Sequence, residues 1–158
     1  MGVDDYLTLD NLNLEAVVED FKRIAPSVQH LEFGNAAMLT MLKAYDKQPT
    51  RDLLEAAQKL CDWQHEHPDM IPSNITTLNR LQIALRERDL TFQEKSLLYP
   101  IATYATDPFH RIGAFLLLGE QDEAKAVLDS LSPEEFSRFK DFPIYKFYRY
   151  SEEETENG

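Results

Sequence analysis

Apolar residues return every three or four positions along most of this chain, the spacing of one helix face. Leu14, Val17, Val18, Phe21 and Ile24 follow that rhythm, which predicts a helix over 13–25 with Asn13 as its cap and Ala25-Pro26 as its end. "SVQHLEF" then leads to Gly34-Asn35 and is the segment least committed to a helix. "AAMLTMLKAY" predicts a second helix over 35–46, followed by a linker at 46–49. Thr50 opens a third over 51–66, whose apolar face carries Leu53, Leu54, Ala57, Leu60 and Cys61, with Trp63 beside it. The two prolines of "HPDMIPS" end that helix, and Ser73 or Asn74 starts a fourth that runs to Arg88.

The later helix starts are written in capping residues. Thr91 and Glu94 have capping-box spacing, so a fifth helix begins at Phe92, and Pro100 is expected to kink or split it. Asp107-Pro108 pairs an Asp cap with Pro at the first helical position. The helix it starts carries Ile112, Phe115, Leu116 and Leu118 and stops at Gly119, a residue suited to the left-handed conformation. Ala124, Val127, Leu128 and Leu131 predict a short helix over 121–131. Ser132-Pro133-Glu134-Glu135 is the clearest start in the chain, with a Ser cap, Pro at N1 and Glu at N3. The helix it opens is lined by Phe136 and Phe139. Asp141-Phe142-Pro143 introduces an aromatic segment in which Ile144, Phe147 and Tyr148 fit one helical face, while Tyr145 also fits an extended strand. These elements predict an all-α fold, an irregular array of about 7–8 short antiparallel helices packed as hairpins. Residues 1–150 are read as one helical domain and residues 151–158, "SEEETENG", as a disordered acidic tail.

One stretch resembles a known repeat. Leu118-Gly119, Glu120, Gln121, Asp122, Glu123 and Ala124 look like the inter-helix turn of a tetratricopeptide repeat. There a Gly closes the first helix, and an Ala five residues on lets the second pack closely. Leu128, Leu131 and Pro133 continue the match, which spans residues 108–133. Arg111-Ile112 stands where the family carries Leu-Gly, and no second copy occurs at its 34-residue period. The resemblance implies a single repeat-like hairpin and a habit of binding other proteins. The longer run from "LNRLQIALRERDL" to "FPIYKF" also resembles helical regions of some bacterial defence and conflict proteins. That likeness implies a closing motif at Phe142-Pro143-Ile144-Tyr145 and no catalysis.

Charge narrows the partners. The 158 residues carry a net −12. Residues 1–20 hold six acids and no Lys or Arg, 119–142 hold seven acids against three bases, and 151–158 hold four Glu and no base. Such a field repels nucleic acid and membrane surfaces and favours a basic protein partner. "KFYRY" interleaves Lys146 and Arg149 with aromatic rings in the manner of a base-stacking strip, but the surrounding acids oppose that use. The N-terminal segment lacks the basic and apolar regions of a secretory signal, and no apolar run approaches a membrane span. Cys61 is the single cysteine, so no internal disulfide can form, and a cytoplasmic location is expected.

Candidate chemistry is sparse. In "CDWQHEHPD", Cys61 and His65 are four apart on one helix and His67 lies just beyond, types that ligate zinc; Glu66 or Asp69 would have to complete the set. The competing reading is a buried cysteine with polar histidines at a helix end. Asp107 and His110, three apart, allow an acid–base pair, although Asp107 is equally explained as a cap. There is no phosphate loop, no GxSxG and no cysteine pair. The expected function is therefore a non-catalytic, cofactor-free protein-interaction module. Its expected contacts are Tyr145, Tyr148 and Tyr150 together with the acidic group Glu120, Asp122 and Glu123. The alternatives are an immunity protein, antitoxin or inhibitor that covers a basic enzyme, and a metal-dependent enzyme built on Cys61 and His65.

Overall fold

A computed structural model describes residues 28–67 and 73–149. The helix expected over 13–25, the tail at 151–158, Asp69 and Tyr150 lie outside those residues. Among the described residues the chain is all helical and contains no strand. The helices are α1 (Val28–Lys47), α2 (Arg51–His65), α3 (Ser73–Glu87), α4 (Phe92–Tyr104), α5 (Pro108–Leu118), α6 (Gln121–Asp129) and α7 (Pro133–Lys140), followed by a 3-10 turn, η1 (Pro143–Phe147). The chain divides into two compact units, Met1–Ile83 and Ala84–Gly158.

In the first unit α1 and α2 pack on each other across the short connection that contains Pro49. Ala37, Met38, Met41 and Leu42 from α1 meet Leu54, Ala57, Leu60, Cys61 and Trp63 from α2, and Ile83 joins this core. Helix α1 begins well before the expected start at residue 35 and takes in "SVQHLEF" from Val28 onward. Nothing in that segment stops a helix: it holds no proline, and an internal glycine costs only about 1 kcal/mol relative to Ala. Gly34 is buried there. Thr50 precedes α2 with extended backbone, but its side chain makes no capping hydrogen bond, contrary to its expected role.

A polar network crosses this unit. Asn35 Oδ1 accepts from Asn79 Nδ2 at 2.7 Å and from Gln64 Nε2 at 3.3 Å, and Asn79 Oδ1 accepts from Gln82 Nε2 at 3.2 Å. Gln64, Asn79 and Gln82 are all buried. One cluster of amides thus ties α1 to α2 and to the middle of α3.

In the second unit α5 is the central element, packed against α4, α6 and η1. Ile112, Ala114, Leu116 and Leu117 are buried on it, opposite Leu98, Ile101 and Ala102 of α4 and Ala124 and Leu128 of α6. Helix α4 remains one element through Pro100 instead of splitting there. Residues 96 and 100 are both exposed. The carbonyl of Ser96 loses its amide donor to the proline ring, but on this exposed side of the helix a missing intrahelical bond costs less than it would in a core.

In the second unit the capping signals at Thr91, Asp107 and Ser132 act as read. Thr91 Oγ1 accepts from Glu94 N at 3.1 Å while Thr91 N donates to Glu94 Oε1 at 2.8 Å, and Ser132 and Glu135 repeat the exchange at 3.1 and 3.0 Å. Arg88 adds a bidentate contact to Glu94, at 2.7 and 2.9 Å. The Arg88 guanidinium, followed by the Thr91 amide, holds the Glu94 carboxyl down to about 2. Because the folded value is depressed, this pairing stabilises α4 fully above the ordinary carboxylate range and is lost as pH falls through about 2.

Gly119 ends α5 at φ 80° and ψ 13°. Its N–H donates to Leu116 O at 3.1 Å and the N–H of Glu120 to Phe115 O at 2.9 Å, the pair of bonds that defines a Schellman turn. A Cβ at Gly119 would meet nothing within 4 Å, so a substitution there is penalised by backbone conformation alone. Gly119→Val is expected to destabilise the fold by about 1–2 kcal/mol in urea-induced unfolding. A loss of only a few tenths would contradict the left-handed geometry.

Candidate interaction site

Of the residues expected to carry function, Cys61, His65 and His67 belong to the first unit, and the acidic group, Tyr145 and Tyr148 to the second. Cys61 is in the core, and its Sγ–H lies 3.9 Å from Thr76 O. Burial, with a smaller contribution from Asp62, pushes its thiol up to about 12, so at neutral pH it is protonated and a poor nucleophile. His65, one turn on, is exposed, while His67 Nδ1 lies 2.9 Å from Trp63 O and its ring meets the edge of Trp63. Among the described residues no three His, Cys, Asp or Glu side chains come together. Asp107 caps α5, accepting from Phe109 N at 2.8 Å, and lies 3.7 Å from His110 Nε2.

The aromatic segment after α7 is turned inward. Tyr148 is buried and Tyr145 half-buried, and Tyr145 stacks edge-on against Phe136 and Phe139. Tyr148 therefore offers a partner little surface. Glu120 is half-buried, and Asp122 and Glu123 are exposed. The latter two lie in the first turn of α6, where carboxylates complement the positive end of the helix dipole.

Two surface features of the second unit were not singled out by the sequence reading. One is the outer face of α4. Phe92 is 83% exposed, Tyr104 81%, Leu97 57% and Tyr99 50%. Phe92, Ser96, Tyr99 and Thr103 form one exposed stripe, and Gln93, Leu97, Pro100 and Tyr104 form the adjacent one. Neither stripe holds a charged residue. Leu98, Ile101 and Ala102 take the opposite, buried side. Periodicity cannot choose between two apolar faces of one helix. The signal that was available is "SLLYPIATYAT", an uncharged run at 96–106 in a chain of which 28% is charged.

The other feature is an open cleft of about 750 Å³. Its apolar lining comes from Leu85 and Leu90, from Leu116–Leu118 at the end of α5, and from Phe147. Lys95, Lys146 and Arg149 also line it, with Asp89 as the single acid among the described residues. The wall formed by η1 is fixed by Gln121, whose Nε2 donates to Phe147 O at 3.0 Å and whose Oε1 accepts from Arg149 N at 2.9 Å. Arg86 supports the same wall: it donates to Pro143 O at 3.2 Å, and its guanidinium lies 5.2 Å from the centre of the Phe147 ring.

No protein-family model, curated protein or solved structure matches this chain. No described helix is long and apolar enough to cross a membrane.

Proposed function

We propose that this chain is a non-catalytic helical module that docks another protein through the outer face of α4. The observation that carries this reading is the exposure of Phe92, Leu97, Tyr99 and Tyr104 on an uncharged face. Exposed aromatic and leucine side chains in one contiguous patch leave apolar area in water, and a partner recovers that area on binding. The net charge of −12 selects for a partner whose contact region has an apolar centre and a basic margin. An inhibitor or immunity protein that covers a basic enzyme is the special case in which that partner is an enzyme. The α5–α6 hairpin supports a tetratricopeptide-like reading, since Ala124 is fully buried five residues after the left-handed Gly119.

The test compares a partner captured by the wild-type protein with its affinity for Phe92→Ser/Tyr104→Ser. Each aromatic anchor contributes about 2 kcal/mol or more, so a loss on the order of a hundredfold or greater is expected. Association should also slow as salt is raised, because charge speeds the encounter. Unchanged affinity in the double variant would place the interface elsewhere and overturn the reading.

A further inference from the structure

We propose that the cleft beside Gly119 is a second binding site, one that takes a small organic anion with a short apolar body. The volume of about 750 Å³ lies within the range of small-ligand sites. Its electrostatics run against the rest of the chain: the protein as a whole is at −12, yet among the described residues the cleft is lined by Lys95 and Arg149, with Lys146 beside them, against one carboxylate, Asp89. Residues that carry cations, from α4, from η1 and just after Tyr148, line one space. The leucines and Phe147 line the same space, so a ligand that satisfies both components has an anionic head and an apolar body.

Small size follows from the same charge. A long polyanion would extend beyond the cleft and meet the acidic remainder of the protein. An anion confined to the cleft lies within one Debye length, about 8 Å at physiological salt, of the cations that hold it. The cationic wall is preorganised. Gln121 grips the backbone on both sides of Tyr148, at Phe147 O and Arg149 N, which fixes where Lys146 and Arg149 are presented. Gln121 is thus a positioning residue, and the lysines and the arginine are the contacts.

Titration calorimetry of the full chain with octanoate, octyl phosphate and octanol, each below its aggregation concentration, tests the proposal. Saturable 1:1 binding of at least one anion is expected, at least tenfold tighter than that of octanol. The preference between octanoate and octyl phosphate identifies the head group. Lys95→Gln/Arg149→Gln, with its fold checked by circular dichroism, should weaken the anion at least tenfold and leave the weak octanol binding unchanged. Gln121→Ala should weaken it severalfold with both cations retained. Phe92→Ser/Tyr104→Ser should leave anion binding intact, which separates this site from the α4 face. Equal affinity for octanol, no saturable binding of either anion, or undiminished binding by the Lys95/Arg149 variant would each overturn the proposal.

Discussion

Phe139→Ala is expected to lower the stability of the fold by about 3–5 kcal/mol, the usual cost of emptying a buried aromatic site. Phe139 is 1% exposed and is the buried residue of α7, a helix of eight residues. So short a helix has little stability of its own, and its position depends on that ring. Phe139 also organises its neighbours. Phe109 lies 5.4 Å away, Phe142 6.0 Å and Tyr145 6.1 Å, measured between ring centres, with tilted or edge-on geometries that suit aromatic pairs. Tyr145 belongs to η1, so loosening the cluster disturbs the segment that carries Lys146 and Phe147. Urea unfolding gives the stability change, and hydrogen exchange should show α7 and η1 losing protection before α4 and α5. A loss below about 1.5 kcal/mol, the scale of a half-buried side chain, would show that α7 is anchored by something else.

Asn35→Leu is expected to destabilise the fold by about 2–4 kcal/mol, although it replaces a polar residue by an apolar one. The side-chain oxygen of Asn35 accepts from both Gln64 and Asn79, and those two side chains are 0% and 5% exposed. Leucine supplies no acceptor, so two buried amide donors lose a partner for which water cannot readily substitute. The added hydrocarbon offsets part of the loss. Equilibrium unfolding of wild type and variant measures the difference. A neutral or stabilising result would mean that the network is dispensable and that packing alone holds α1, α2 and the middle of α3.

The same two sites show what could be read in advance. The start of α7 was legible because Ser132, Pro133 and Glu135 act on backbone groups within one turn. The burial of Phe139 was legible only as helical spacing with Phe136, which is half-buried while Phe139 is fully buried. Asn35 was read as part of a helix start. Its contact with Asn79 lies 44 residues away, and no local pattern announces such a pair. Gln121 looks in the sequence like one more polar residue in an acidic turn, yet it reaches Phe147, 26 residues on. Tyr145 and Tyr148 are contact candidates only if the aromatic segment keeps its rings at the surface. Packing against Phe136 and Phe139 turns Tyr145 partly inward and Tyr148 is buried, while the most exposed rings among the described residues are Phe92 and Tyr104 of α4.

The sequence by itself determined the helical class, the starts at Phe92, Pro108 and Pro133, the stop at Gly119 and the acidic balance. Each is set by charges that simply add or by hydrogen bonds that close within about five residues. Tertiary structure alone decided that α4 keeps an apolar face in water, that Cys61 is sealed in a core, and that three cations share a cleft. Those outcomes depend on which helix faces compete for the same buried space, and that competition is resolved only when segments distant in sequence pack together.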